Sequence, residues 1–227
     1  MRAYVVSLAK RPERLAAFQE HLAETGLQAC IDVEPFVGVD GSQLDLESLK
    51  PRIAPWNLEH MTEGRLRGNL GCTLSHVELW RRVGEQTQPI LILEDDARLS
   101  AGVDAQMVAS ALKSLPTDAD FVYLNDYNYG VRAGIKARVR RKITHLSGIE
   151  MRARRVTFAA MPDVLATTEA YVVSPAYGRR LSTTIGNELG AVDRQVQLFN
   201  GRAQGKVYQA EPPLFGQADR SNSDTRA

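Results

Sequence analysis

Along this chain, short apolar runs alternate with stretches in which apolar residues recur every three or four positions. The short runs predict β-strands, and the longer spacing predicts amphipathic helices. The run at 89–93 is apolar on both faces, which is typical of a central strand covered by helices on both sides. Strands are predicted at residues 4–8, 33–37, 89–93, 121–124, 170–173 and 206–209. Helices are predicted at 12–25, 70–83 and 103–115, after Pro175 and from Asp193, whereas residues 40–68 are predicted to be mostly loop.

The order of these elements indicates an α/β protein. The chain opens as strand–helix–strand, the beginning of a sheet layer covered by helices. We therefore predict a single α/β domain in which helices cover a central sheet. The predicted domain covers residues 1–217 and carries a basic, mobile insertion at 130–162, while residues 218–227 form a polar tail.

Composition says little about partners. The 227 residues are 44% hydrophobic and 24% charged, and the formal net charge of +1 favours no particular ligand. Cys30 and Cys72 fit neither a metal motif nor a disulfide framework, so we expect reduced thiols that pack as small apolar groups. The N-terminal apolar run is too short for a signal peptide, and no run approaches the ~18 apolar residues of a membrane span. We therefore expect a cytoplasmic protein.

A strongly basic stretch interrupts this even charge distribution. Nine Lys or Arg residues lie between Arg132 and Arg155, opposed only by Glu150. The stretch could contact an anionic acceptor or the acidic headgroups of the inner membrane face, which would make the protein peripheral there. Its alternative is a solvated loop. Few aromatic residues are interleaved to stack bases, which disfavours nucleic acid as a partner.

Three consecutive carboxylates, Glu94, Asp95 and Asp96, follow the predicted strand at 89–93. Like charges at this density are unfavourable unless a cation lies near them. In an extended segment Glu94 and Asp96 point to one side and Asp95 to the other. Oxygen ligands suit Mg²⁺ or Mn²⁺, and such a cation could neutralise a diphosphate leaving group. The alternative is that the triplet merely ends a strand and caps the next helix.

Four blocks carry a wider resemblance. They are residues 4–14, ending in Arg11-Pro12-Glu13-Arg14; residues 70–80, with Gly71-Cys72 and Ser75-His76; residues 92–97, with the acidic triplet; and residues 168–174, followed by Val192-Asp193. Together and in this order they resemble glycosyltransferase family 25, often described as lipooligosaccharide galactosyltransferases. The chain departs from the family pattern at Asn69, where many members are acidic, and at Ser7-Leu8-Ala9, where they often read Asn-Leu-Asp.

The resemblance implies a GT-A-like α/β fold, with a Rossmann-like mixed central sheet flanked by helices. It implies a UDP-sugar donor that is usually UDP-galactose, and inversion at the anomeric carbon. It also implies a lipopolysaccharide or other glycan acceptor and a divalent cation, Mn²⁺ or Mg²⁺. The residues that it marks for the nucleotide sugar are Arg11, Arg14, Ser75, His76, Glu94 and Asp95, and those for the metal are Asp96 and Glu94. Ser75 and His76 point about 100° apart on a helix, so they form no simple catalytic pair.

Inverting transfer needs a base that takes the proton of the acceptor hydroxyl. We predict Asp193 as this base, with Glu169 and Asp126 in reserve. Asp193 precedes a predicted helix, so its alternative role is that of an N-cap. The residues leave two other functions possible: a sugar-nucleotide-binding protein without catalysis, and a metal-dependent phosphohydrolase.

Overall fold

The computed structural model describes residues 1–125, 156–160, 168–202 and 205–218. The basic stretch Arg132–Arg155, the reserve base Asp126 and residues 219–227 lie outside these ranges. Among the described residues, no helix combines the length and the apolar character needed to cross a bilayer. The predicted insertion at 130–162 is described only at 156–160, where residues 157–160 form a strand.

The elements follow the predicted order. The strands are β1 (Arg2–Ser7), β2 (Asp32–Val37), β3 (Ile90–Glu94), β4 (Ala97–Leu99), β5 (Phe121–Tyr123), β6 (Thr157–Ala160), β7 (Ala170–Val173), β8 (Val207–Glu211) and β9 (Phe215–Gln217). The helices are α1 (Pro12–Thr25), α2 (Leu46–Leu49), α3 (Pro55–His60), α4 (Glu63–Gly84), α5 (Ala105–Lys113), α6 (Pro175–Asn187) and α7 (Val192–Arg202). Three 3₁₀ turns lie at Leu27–Ala29, Gly41–Gln43 and Lys50–Arg52.

Seven strands form one mixed sheet in the order β2-β1-β3-β7-β5-β8-β6, and β4 pairs with β9 in a second, two-stranded sheet. The neighbours β2, β1 and β3 are parallel, whereas β7 runs antiparallel to both β3 and β5. The start of β7 therefore meets the end of β3, with Leu93 opposite Ala170. The predicted α/β class, with a mixed sheet flanked by helices, is confirmed.

Helices cover both faces of the sheet, as the apolar run at 89–93 predicted. Leu91 and Leu93 face a core completed by α1 and α5, whereas Ile90 and Ile92 face a core completed by α4, α6 and α7. These four side chains are essentially inaccessible to solvent. Because successive side chains of a strand point to opposite faces, only a strand covered twice can be apolar at every position.

The prediction of mostly loop at 40–68 was wrong. Two short helices, two 3₁₀ turns and the first residues of α4 occupy this segment. Capping side chains explain the starts: Asp45 accepts hydrogen bonds from the backbone at the start of α2, and Thr62 accepts one from Arg65 N at the start of α4. Pro55 occupies the first turn of α3, where a missing N–H costs nothing. These capping residues are visible in the sequence, but the polar composition of the segment favoured the prediction of a loop.

A glycine in α4 allows this helix to lie against the loop after β2. A Cβ on Gly71 would lie 2.7 Å from Gly41 N and 2.8 Å from Val39 O, so the backbones could not keep their present distance. We expect Gly71→Ala to lower the free energy of unfolding by about 1–3 kcal/mol through overpacking. Chemical denaturation would measure this loss.

Gly186→Ala is the matched control, because Gly186 is also helical but its added Cβ would find only Val77 Cγ1, at an ordinary 3.4 Å. This variant should lose no stability, since Ala is the better helix former. Equal stability of the two variants would contradict the packing role of Gly71.

Candidate functional site

A single cleft at the carboxyl ends of β1 and β3 brings the predicted site residues together. Its volume is about 1060 Å³, enough for a large ligand of nucleotide-sugar size. In open α/β sheets, ligands bind at this edge of the strands. The predicted residues that line the cleft are Arg11, Arg14, Ser75, His76, Glu94, Asp95, Asp96 and Asp193.

The acidic triplet is not extended, which corrects the predicted alternation of its side chains. Glu94 is the last residue of β3, and Asp95 and Asp96 form a tight turn before β4. As a result, Arg14 Nη2 reaches both Asp95 Oδ1, at 2.5 Å, and Asp96 Oδ2, at 3.3 Å. Arg14 comes from α1, so one guanidinium offsets part of the charge of two adjacent carboxylates.

Asp96 lies on the side of the turn that faces β9. Gln217 Nε2 donates a hydrogen bond to Asp96 Oδ2 at 3.0 Å, and Ala218 N donates to Asp96 O at 2.8 Å. Burial, followed by the charge of Glu94, raises the pKa of Asp96 to about 6. Asp96 Oδ1 is buried and has no hydrogen-bond partner within the described residues. A carboxylate in this state can readily accept a cation.

Glu94 turns away from Arg14 towards α4 and the start of β7. Thr168 Oγ1 lies 2.7 Å from Glu94 Oε1, and His76 Nε2 lies 3.6 Å from the same oxygen. Burial favours the neutral acid, yet His76 and the Thr168 hydroxyl together hold the pKa of Glu94 below its usual value. Glu94 is therefore the carboxylate that stays ionised in this part of the cleft.

Asp193 is connected to Glu94 through one hydroxyl. It is the second residue of α7, and its Oδ1 lies 2.8 Å from Thr168 Oγ1. The alternative role as an N-cap was wrong, because the helix begins one residue earlier and the carboxylate faces Thr168. Asp193 remains open to the cleft, but the surrounding walls desolvate it and Glu94 repels its charge, which raises its pKa to about 6.

A single hydroxyl proton cannot satisfy two ionised carboxylates. Thr168 carries one hydrogen, and carboxylate oxygens of Glu94 and Asp193 both lie within hydrogen-bond distance of it. While both carboxylates are ionised, Thr168 can donate to either of them. When Asp193, the less acidic of the two, takes up a proton, its carboxyl can donate to Thr168 while Thr168 donates to Glu94. The cluster is thus arranged to take up one proton at Asp193.

Glu169, the reserve base, lies beside Glu94 and Asp193 and has a higher pKa than Asp193. Its pKa is raised to about 8, first by burial and then by the charges of Glu94 and Asp193. Asn125 Nδ2 donates a hydrogen bond to Glu169 Oε2. At neutral pH Glu169 is mostly protonated, so it serves poorly as a base and Asp193 is the better candidate.

His76 and Ser75 belong to the wall of the cleft formed by α4. His76 is fully buried, and its Nδ1 lies 2.8 Å from Tyr171 Oη, which also accepts a hydrogen bond from Trp80 Nε1 at 2.8 Å. Ser75 Oγ donates to Gly71 O and accepts from Val39 N, both at 2.7 Å. Ser75 therefore attaches the loop after β2 to α4, and its hydroxyl is already satisfied within the protein.

Cationic side chains line the β1 side of the same cleft. Arg11 lies at the start of α1, with its Nη1 3.7 Å from Glu13 Oε1. Lys10 Nζ contacts Asp40 Oδ1 at 2.8 Å, and both residues line the cleft. The cleft therefore holds basic groups and carboxylates side by side, an arrangement that suits an anionic ligand bound together with a cation.

Sequence reasoning missed Thr168 and Gln217. Thr168 lies in the block 168–174, but nothing in the spacing indicates that it links two carboxylates 74 and 25 residues away. Gln217 reaches Asp96 only because β9 pairs with β4. Both contacts depend on strand pairing between distant segments, which periodicity does not reveal.

Comparisons with known proteins agree on one family. Residues 1–195 match the family described as Glycosyltransferase family 25 (LPS biosynthesis protein). A Glycosyltransferase 25 family member of Aedes aegypti is 36% identical over 104 residues, which are 42% of this chain and 16% of that protein. Procollagen galactosyltransferase 2 of Mus musculus is 29% identical over 104 residues, 42% of this chain and 15% of that protein. The aligned part is therefore about one sixth of these relatives' length.

One solved structure is also similar. It is the galactosyltransferase LgtC in complex with donor and acceptor sugar analogues, with a TM-score of 0.46 and 11% sequence identity. The superposition covers 92% of this chain and 73% of that chain.

Proposed function

Because the chain belongs to glycosyltransferase family 25, we propose that it transfers a sugar from a UDP-sugar to a hydroxyl group of a glycan or glycolipid acceptor, with inversion at the anomeric carbon. Galactose is the proposed sugar, and a lipopolysaccharide-type glycan is the proposed acceptor. The observation that carries the proposal is the cleft itself, which holds Arg11 and Arg14, the acidic turn and a carboxylate that can take up a proton.

The donor would bind on the β1 side of the cleft. Arg11 and Arg14 would contact the diphosphate, since guanidinium groups pair with phosphate oxygens in a bidentate manner. Asp96 and Glu94 would hold Mn²⁺ or Mg²⁺, and the buried Asp96 Oδ1 without a partner fits this role. A cation bound there would neutralise charge on the departing UDP. Asp95, paired with Arg14, would orient that guanidinium, and Ser75 and His76 would shape the α4 wall.

The acceptor hydroxyl would be activated by Asp193. In a single displacement, the acceptor oxygen forms a bond to the sugar C1 while the bond from C1 to the UDP oxygen breaks, and the hydroxyl proton passes to Asp193. The protonated Asp193 then donates to Thr168, which donates to Glu94. Asp193 therefore keeps Thr168 as a partner in both protonation states, accepting its hydrogen bond before the transfer and donating to it afterwards.

The proposal is tested by product analysis with purified protein and Mn²⁺. UDP-galactose and a panel of glycan acceptors should yield UDP in an amount equal to the glycosylated acceptor. Binding of UDP-galactose without any UDP release would indicate a sugar-nucleotide-binding protein without catalysis. Acceptor-independent release of inorganic phosphate from a simple phosphoester would instead indicate a phosphohydrolase.

The pH dependence follows from the raised pKa of Asp193. A base works when ionised, so kcat/KM should increase as pH rises through about 6. Thr168 favours the ionised form of Asp193 by hydrogen bonding. Thr168→Val should therefore shift the acidic limb to higher pH and lower activity at pH 6 by about fivefold, given a lost hydrogen bond to a charged group.

Thr168→Ser is the control, because it keeps the hydroxyl and should keep the wild-type pH profile. The measurement is kcat/KM for both variants between pH 5 and 8 in one buffer series. A Thr168→Val profile with an unchanged midpoint, at whatever overall rate, would show that the hydroxyl does not act on the titrating group.

A further inference from the structure

We propose that Cys72, His76 and Glu94 form a binding site for a thiophilic divalent cation of the zinc class. Cys72 and His76 are four residues apart on α4, so both side chains lie on the face that lines the cleft. Glu94 approaches them from the end of β3. One ligand atom from each residue lies within 4.8 Å of the other two, and His76 Nε2 lies 3.6 Å from Glu94 Oε1.

An unpartnered nitrogen points into this cluster. His76 is fully buried, and its Nε2 has no hydrogen-bond partner among the described residues. Tyr171 Oη accepts a hydrogen bond from Trp80 Nε1, and it can also accept one from His76 Nδ1–H. Without a cation, a proton on Nε2 would face Glu94 Oε1 3.6 Å away, which agrees with the lowered pKa of Glu94. A bound cation would replace that proton while Nδ1–H donates to Tyr171. A buried polar atom without a partner is costly, and a shared cation would remove the cost.

The ligand types select the metal. A thiolate, an imidazole and a carboxylate are the ligands of Zn²⁺, whereas Mg²⁺ and Mn²⁺ prefer oxygen ligands such as Asp96. Tetrahedral zinc holds neighbouring ligand atoms at about 3.5–4 Å, so a small closure of the three side chains suffices. The hydrogen bond from His76 to Tyr171 supplies the outer contact that orients metal-binding histidines.

Binding at this cluster has a defined proton balance. The Cys72 thiol loses its proton to solvent as the sulfur–metal bond forms, while His76 and Glu94 bind in their unprotonated forms. The cation would share Glu94 Oε1 with the Thr168 hydroxyl. Three protein ligands leave a fourth position on the side of the cleft, which is typical of accessible zinc sites.

Cobalt(II) tests this site directly, because a thiolate bound to Co²⁺ gives an intense near-ultraviolet charge-transfer band. The chain of 227 residues, freed of metal with a chelator, is titrated with CoCl₂. We expect one equivalent to produce the band and one equivalent of Zn²⁺ to remove it. Cys72→Ser should abolish the band. Cys30→Ser should keep it, because the only other cysteine of the chain packs against a different core, between Leu27 and Ala105.

Absence of the band at excess Co²⁺, or its persistence in Cys72→Ser, would overturn the proposal. X-ray absorption of the Zn²⁺-loaded wild-type protein gives an answer that needs no variant. It should show one sulfur ligand and otherwise nitrogen or oxygen ligands. A set of Zn²⁺ ligands without sulfur would also overturn the proposal. Neither readout depends on sugar transfer, so the result stands apart from the fate of the proposed function.

Discussion

Replacement of Asp193 by Asn should lower kcat by about 10²- to 10⁴-fold, the range typical of removing a general base. Asn keeps the shape of the side chain, and its carbonyl oxygen can still accept a hydrogen bond from Thr168, so the structure around it should be preserved. Only the capacity to take up a proton is lost. Thermal shift with UDP-galactose and Mn²⁺ should show unchanged donor binding, because Asp193 belongs to α7 and contacts Thr168, whereas the proposed diphosphate ligands Arg11 and Arg14 belong to the start of α1.

Glu169→Gln is the matched control for this variant. Glu169 borders the same cluster, but its pKa of about 8 leaves it largely protonated and unsuited to act as a base at neutral pH. Its loss should reduce kcat far less than the loss of the Asp193 carboxylate. The opposite ranking of the two variants would transfer the role of base to Glu169, and normal turnover of Asp193→Asn would exclude Asp193 from proton transfer.

Replacement of Asp96 by Ala should lower kcat/KM by about 10²-fold or more. Removing one preorganised electrostatic contact to the developing charge typically costs 10²- to 10³-fold. The variant should also lose the additional thermal stabilisation that Mn²⁺ gives in the presence of UDP-galactose, because Asp96 is the carboxylate proposed to hold the cation. Rates and thermal shifts measured over a range of Mn²⁺ concentrations would establish both effects.

Asp32→Ala provides the comparison for Asp96. Asp32 is exposed at the beginning of β2, at the edge of the sheet opposite the cleft, so its removal should change neither rate nor Mn²⁺ response. The two variants remove the same group from different environments. If Asp96→Ala retained full activity and a normal response to Mn²⁺, the acidic turn would have no part in catalysis.

The three carboxylates of the acidic turn can lie close together because each of them has its own set of contacts. Arg14 contacts Asp95 and Asp96, Gln217 contacts Asp96, and Thr168 contacts Glu94. Part of the repulsion is nevertheless left unbalanced, since burial and neighbouring charge keep the pKa of Asp96 near 6. A ligand that brings a cation would relieve this repulsion, so the turn is better suited to binding than to structural support.

Much of the fold could be read from the sequence because burial imposes a period on it. The strand at 89–93 is covered on both faces and is therefore apolar at every position, and α1 shows Phe18 and Leu22 buried at helical spacing. The segment at 40–68 could not be read in this way. Its helices are too short to establish a period, and their starts depend on single caps such as Asp45 and Thr62.

The sequence by itself determined the alternation of strands and helices, the acidic triplet at the end of a central strand, and several of the residues that line the cleft. Only the tertiary structure decided the contacts of each carboxylate and therefore its pKa. Glu94 and Asp193 share Thr168 because β7 runs antiparallel beside β3, and Asp96 meets Gln217 because β9 pairs with β4. Periodic burial is encoded locally, whereas the proton affinity of a carboxylate depends on neighbours that folding brings from distant parts of the chain.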